Sequence, residues 1–346
     1  MTSASDPSLD RGGPAQPLLR VQGLKKHFAI RSGPFERGGK TLRAVDGVSF
    51  EVAKGQTLGI VGESGCGKST PARLIARLLP ADGGELVFDG EGVAEFGGLA
   101  LKDFRRQLQM VFQDSQASLN PRLTVLDAVA YGPQVHGVPK AQALERSRSL
   151  LQRVGLAPAQ FGGRYPHELS GGQRQRVNIA RALAFEPRLL ILDEAVAALD
   201  KSVQAQVLNL LQELKAEQGL TYVFISHDLH VVQYLADRVL VMYLGQVVET
   251  GPVEALYAAP MHPYTRALLA ASPSMDPARR TLSAPLSGDP PNPIDPPSGC
   301  RFRDRCPQAH AVCASAAPPL REAGAGHWVA CHIGDAAAGH PGALPA

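Results

Sequence analysis

Residues Leu18–Phe28 alternate apolar and polar side chains, the period-two pattern of a half-buried strand. Leu42–Val52 reads as the second strand of an antiparallel pair, with a Gly- and Arg-rich insertion, Arg31–Lys40, between the two. Four short apolar runs follow: Leu58–Val61, Leu108–Phe112, Leu189–Leu192 and Tyr222–Ile225. Uninterrupted apolar runs of this length predict strands buried on both faces. Gly67–Leu79 and Val203–Gln218 predict helices. The region from about Ser118 to Glu168 is helix-rich and includes the amphipathic stretch Lys140–Val154. This alternation of strands and helices predicts an α/β sheet. Pro71 falls near the limit of the first helical turn, where proline is still tolerated. From about Pro252 the composition shifts toward Pro and Ala, marking a tail.

A chain of 346 residues is long for one compact core, so one large domain with a smaller appendage is expected. The formal net charge of +3 is too small to point to nucleic acid. Residues 1–17 are polar and rich in Ser, Pro and Gly. They lack the apolar core of a signal peptide and read as a disordered lead-in. No stretch has the length and apolarity of a membrane span; Val231–Val248 holds Asp237 and Arg238 and reads as ordinary buried structure. A cytosolic protein is expected, with any membrane contact made through partners.

The chemistry begins at Gly62-Glu63-Ser64-Gly65-Cys66-Gly67-Lys68-Ser69, which fits G-x-x-x-x-G-K-[ST] between an expected strand and an expected helix. The glycines let backbone N–H groups turn into one hollow, and the helix N-terminus adds to the field that holds a phosphate. Lys68 supplies a point charge for the β- and γ-phosphates, the Ser69 hydroxyl is suited to Mg²⁺, and Thr70 follows it. A second cluster, Asp193-Glu194, ends the apolar run Leu189–Leu192. Carboxylates at the C-terminal end of a parallel strand sit where ligands gather in α/β sheets. Asp193 suits the Mg²⁺ shell and Glu194 a general base that polarises water.

Leu169-Ser170-Gly171-Gly172-Gln173, a short way before the acid strand, resembles the signature sequence of the ATP-binding cassette (ABC) family. The resemblance covers roughly residues 18–250. It implies an α/β P-loop NTPase (RecA-like) core sheet with an antiparallel β-subdomain and an inserted helical subdomain at about 115–174. The division it implies is a lead-in 1–17, an ATPase domain 18–254 and a small cysteine-containing extension 255–346. It also implies that Phe28 stacks on adenine and that Gln113 touches Mg²⁺ and relays the nucleotide state. Ala197-Ala198-Leu199-Asp200 would cross a dimer interface, and His227 would contact the γ-phosphate. Ser170, Gly171, Gly172 and Gln173 would serve the ATP of the opposing subunit, so that ATP joins the dimer and hydrolysis releases it. A monomer is then expected to bind ATP and hydrolyse it poorly. Three positions depart from the family's common pattern: Ala195 and Ser115 stand where proline is common, and Ala197 where serine is.

The tail resembles the oligopeptide and dipeptide importer branch of that family. Ser118-Leu119-Asn120-Pro121-Arg122, His262-Pro263-Tyr264-Thr265-Arg266-Ala267-Leu268-Leu269, Cys300-Arg301-Phe302 and Arg305-Cys306-Pro307 carry the likeness. The branch implies two transmembrane permease subunits, a homologous ATPase or a second copy as dimer partner, an external solute-binding protein, no nucleic acid, and a place on the cytoplasmic face of the membrane. Importers of other solutes such as nickel share these motifs, and a soluble ABC ATPase is the alternative of another class. Cys66 stands apart, while Cys300, Cys306, Cys313 and Cys331 crowd the tail with C-x5-C-x6-C-x17-C spacing. In parts of the branch such cysteines are associated with an iron–sulfur cluster. The spacing is neither the C-x2-C knuckle of structural zinc nor the tight ferredoxin run. Converging thiolates and a set of free thiols both fit it.

Overall fold

The computed structural model describes residues 13, 16–30, 40–63, 65, 67–93, 98–271, 292–294, 296–335 and 339–341. Most of the lead-in, the insertion at 31–39, and the candidate residues Ser64 and Cys66 lie outside this set.

In chain order, β1 (Leu19–Ile30), β2 (Lys40–Val52) and β3 (Thr57–Val61) precede α1 (Ser69–Ile75). Then come β4 (Gly83–Phe88), β5 (Glu91–Gly92), α2 (Leu101–Gln107) and β6 (Leu108–Val111). The helices α3 (Val125–Val135), α4 (Lys140–Arg153), α5 (Pro158–Phe161) and α6 (Gly171–Leu183) follow. Next are β7 (Leu189–Asp193), α7 (Lys201–Gln218), β8 (Thr221–Ile225) and α8 (Leu229–Leu235). The last elements are β9 (Arg238–Tyr243), β10 (Gln246–Pro252), α9 (Val253–Ala258), α10 (Pro263–Ala271), α11 (Ala311–Ser315), β11 (Arg321–Gly324) and β12 (His327–Val329).

The chain forms two compact units, the first mainly residues 87–225 and the second mainly 21–50, 58–86 and 226–346. In the first, β6, β7 and β8 run parallel, with Leu108 opposite Leu189 and Leu192 opposite Phe224. All five residues of β7 are buried, which is why the strand reads as a continuous apolar run ending in one carboxylate. The helices α3, α4 and α6 pack on one another. Thr124 caps α3, Asp200 caps α7, and Gly219, at φ +63°, terminates α7 in the left-handed conformation that glycine favours.

In the second unit β3 pairs in parallel with β9, which forms an antiparallel pair with β10. The tail continues this sheet: β12 pairs with β10, Glu249 opposite Val329, and β11 pairs with β12. Glu249 is fully buried and accepts from the N–H groups of Met261 (2.7 Å) and His262 (3.0 Å), with His327 Nε2 at 2.7 Å. A buried carboxylate this well hydrogen-bonded holds three segments together. Tyr243, Tyr264 and Phe302 form a buried aromatic cluster with centroids 4.6–5.4 Å apart. Beside it Arg301 donates to the Asp46 carboxylate and the Leu244 carbonyl.

Helix α1 is shorter than the apolar pattern predicts. Gly67, at φ +98°, belongs to the loop before it, and Arg77, at φ +53°, lies beyond its end. Pro71 is its third residue, where the missing N–H has no intrahelical partner to lose. None of the described helices is long and apolar enough to cross a membrane.

Candidate functional site

The second unit carries the phosphate loop. It leaves the buried strand β3 at Gly62 and enters α1 at Ser69. At Gly67 a Cβ would stand 2.3 Å from the Ala44 carbonyl oxygen, so the positive φ and the close approach both require glycine. Lys68 is buried, and its Nζ donates to the carbonyls of Gly62 (2.8 Å) and Glu63 (2.7 Å). Its ammonium is therefore held over the loop's own backbone. Ser69 and Thr70 are half-buried at the start of α1. Glu63 is fixed from the tail: its N–H donates to Tyr264 Oη at 2.8 Å, and Arg305 grips its carboxylate through two bonds of 2.7 and 2.9 Å. Paired N–H···O bonds of this kind fix orientation as well as charge. The hydrogen bonds to Glu63 push the Arg305 guanidinium's affinity for its proton above the usual arginine range.

Phe28 is half-buried on β1, with Lys26 Nζ 5.5 Å from its ring centroid. His227 is exposed, in the turn before α8 that Asp228 caps by accepting from His230 N–H at 3.0 Å.

The first unit carries the acid pair. Asp193 closes β7 and is buried. Glu194 adopts φ +47°, a left-handed conformation that costs a non-glycine residue on the order of 1 kcal/mol or more. Its N–H donates to the Ile225 carbonyl at 3.0 Å, and Gln113 Nε2 donates to its carboxylate at 2.7 Å. The structure thus brings together two of the predicted residues, Gln113 and Glu194. The Ala197 N–H donates to the Glu194 carbonyl at 3.1 Å, so the turn after the acid pair is built on Glu194 itself.

Ser170 caps α6, accepting from Gln173 N–H at 3.3 Å while the Gln173 side chain accepts from Ser170 N–H at 3.0 Å. Gly172 is buried, and a Cβ there would meet Val203 at 2.3 Å, so α6 and α7 approach closely at this point. The segment after Gln113 is pinned to α6: Asn178 Nδ2 donates to the Ser115 carbonyl at 3.1 Å, and Arg181 to that of Ser118. Burial lowers the proton affinity of the Arg181 guanidinium. Neither Asn178 nor Arg181 stands out in the sequence, because their roles depend on partners 63 residues away.

Cys300, Cys306, Cys313 and Cys331 line one pocket with His262 and His332, and all four are free thiols. Burial pushes Cys300 and Cys331 up to about 11, and raises Cys306 too. These thiols favour the neutral form unless a cation offsets the cost of burial. The donor set suits a thiolate-bound metal in kind. Among the described residues, however, no three His, Cys, Asp or Glu side chains stand in a metal-holding arrangement.

Residues 45–197 match the ABC transporter family, and residues 248–313 match the C-terminal region of oligopeptide/dipeptide transporters. The chain is 50% identical over 331 residues to the probable peptide ABC transporter ATP-binding protein y4tS of Sinorhizobium fredii, covering 94% of each. It is 49% identical over 323 residues to the oligopeptide transport ATP-binding protein AppF of Bacillus subtilis, covering 91% of this chain and 97% of that one. Among solved structures, cbiO1 from Clostridium perfringens, part of the ABC transporter complex cbiONQ, matches with a TM-score of 0.60 at 29% identity, over 70% of this chain and 91% of that one. The fold is the α/β P-loop NTPase fold expected from the sequence, and the chain belongs to the ABC transporter family as an ATP-hydrolysing, ATP-binding subunit bearing the C-terminal region of the oligopeptide/dipeptide branch.

Proposed function

We propose that this chain energises an ABC importer of oligopeptides or dipeptides, with residues 18–254 as ATPase and 255–346 as the peptide-transporter-type extension. The loop from Gly62 to Thr70 binds the phosphates of ATP, Lys68 by charge and Ser69 through Mg²⁺, and Phe28 stacks on the base. Asp193 holds Mg²⁺ through water, Glu194 polarises the attacking water, Gln113 orients Glu194 and senses the metal, and His227 meets the γ-phosphate. Ser170, Gly171, Gly172 and Gln173 complete the site of a partner ATPase, either a second copy or a homologue. The observation that carries the catalytic reading is the Gln113–Glu194 hydrogen bond at the end of a buried strand. Backbone strain at Glu194 supports it, since such strain clusters at functional sites.

In this reading two permease subunits anchor the ATPases at the cytoplasmic face of the membrane, and an external binding protein delivers the peptide. No nucleic acid takes part. The relatives' printed roles in peptide transport support the substrate class. The test is ATPase activity of the complex co-purified with its permease subunits, in vesicles, with binding protein and defined di- and oligopeptides added. Stimulation by peptides is expected. Stimulation by nickel or another solute alone contradicts the substrate assignment.

A second proposal is an iron–sulfur cluster of the [4Fe-4S] type on the four tail thiols: their shared pocket supports it, and holding the cluster requires the four side chains to draw closer than they stand in this structure. Such a group would supply a covalent cross-link between the turn at 300–306, α11 and the end of β12. Anaerobically purified protein is then expected to contain iron and absorb visible light. Colourless, iron-free protein overturns the proposal.

A further inference from the structure

We infer that the C-terminal extension positions the phosphate loop, with Arg305 and Tyr264 as positioning residues that act through Glu63. This rests on the reading that the loop holds nucleotide phosphates.

Glu63 is held at three points. Its N–H goes to Tyr264 Oη, its carbonyl to Lys68 Nζ and its carboxylate to Arg305. Two of these three anchors come from the tail, 201 and 242 residues away. The side chain of Arg305 is 5% exposed and that of Glu63 21%, so solvent screens this pair weakly. A carboxylate beside a phosphate site repels the anion it should admit and competes for Lys68. The Arg305 guanidinium cancels that charge, and its fork fixes both carboxylate oxygens in one plane.

The anchors are themselves rigid. Arg305 closes a short turn whose other end is fixed by Arg301 to Asp46 and to the Leu244 carbonyl. Between them Phe302 is buried against Tyr243 and Tyr264. Tyr264 is fully buried, its ring locked in that cluster and its own N–H given to His262 Nδ1 at 3.0 Å. Its hydroxyl therefore meets the loop at a fixed place. The tail motifs that carry the family resemblance thus have a task in the ATP site of their own chain.

The test measures Mg-ATP affinity by calorimetry on the full chain, and KM and kcat in the permease complex, with thermal unfolding as a check on folding. Arg305→Ala is expected to weaken ATP binding and raise KM about tenfold, with kcat at saturating ATP within twofold of the parent. Arg305→Lys restores part of the loss, because a lysine cannot make both bonds. In a Glu63→Ala background, Arg305→Ala adds less than a further twofold. Tyr264→Phe keeps the ring and weakens binding about threefold. The inference is overturned if Arg305→Ala costs the same with and without Glu63, or if kcat falls while affinity holds. Should Arg305→Ala not fold, Arg305→Lys and Tyr264→Phe decide, and parental affinity in both overturns it. Lys68→Ala separates the two levels. If it binds ATP like the parent, the phosphate-loop reading itself is wrong. If it loses binding while the Arg305 and Tyr264 variants keep theirs, only the present inference fails.

Discussion

The acid strand and the phosphate loop are both short motifs, yet they are held in place by different means. Asp193 and Glu194 end a strand whose five residues are buried in register with β6 and β8, and the Glu194 N–H is tied to the end of β8. Its support comes from the sheet and from residues nearby in the fold of the same unit. The phosphate loop leaves an equally buried strand, β3, but its second residue is anchored by α10 and the turn at 303–305. Loss of the Glu194 carboxylate at the end of the acid strand should therefore change chemistry with little effect on binding. Damage to the tail should change binding with little effect on chemistry.

That contrast can be broken in several ways. Glu194→Gln makes the largest change: hydrolysis by the complex should fall about 10²- to 10⁴-fold, the range for losing a positioned base, while ATP affinity stays within a few-fold of the parent. Equal ATPase rates would remove Glu194 from the mechanism. Gly67→Ala attacks the loop from within, since the new Cβ would sit 2.3 Å from the Ala44 oxygen at φ +98°. ATP affinity should drop by more than about tenfold, because the strain costs roughly 1–3 kcal/mol and moves the loop. Gln113→Ala removes a hydrogen bond to a charged group, and hydrolysis should slow by about tenfold, in line with roughly 1.5 kcal/mol for such a bond, with a smaller change in Mg-ATP affinity from the lost contact to the metal.

A last effect is one of pH, and it reads on stability rather than on catalysis. Burial lowers His262 from 6.5 to about 3, with Arg266 adding to the shift. The unfolded chain takes up this proton near pH 6.5 and the folded chain only near pH 3. Stability from neutral His262 is thus complete above pH 6.5 and drains away as pH falls toward 3. His262 Nδ1 accepts from the Tyr264 N–H, so acid should loosen the tail's hold on the loop. In urea titrations the His262→Gln variant should show a flatter loss of stability than the parent between pH 6.5 and 4.

Much of this molecule is legible in its sequence. Leu189–Leu192 and Tyr222–Ile225 appear as β7 and β8 because strands covered on both faces must be apolar throughout. Lys140–Val154 appears as α4 because its apolar face repeats at helical spacing. The groups of the proposed phosphate loop and acid pair can be picked out because the proposed chemistry would demand fixed spacings. What holds them is not. The Arg305–Glu63 pair joins residues 242 apart, and nothing local in Arg305-Cys306-Pro307 announces a partner. The strands β11 and β12 are equally hidden, since the four exposed residues Arg321–Gly324 and the three residues His327–Val329, of which only Trp328 is exposed, are too short to show a period. Gly172 shows the reverse case. The resemblance assigns it to a partner's nucleotide, and the structure adds a local reason for glycine, its contact with Val203.

The most direct test crosses the two regions in one experiment. Equilibrium ATP affinity and single-turnover hydrolysis are measured for the parent, Arg305→Ala, Glu194→Gln and the double variant, each in the permease complex. Independent contributions add, so Arg305→Ala should weaken ATP binding about tenfold whether residue 194 is Glu or Gln, and leave the saturated rate within twofold of its own background. A saturated rate that falls with Arg305→Ala as steeply as affinity does, or an affinity that does not move, contradicts the account.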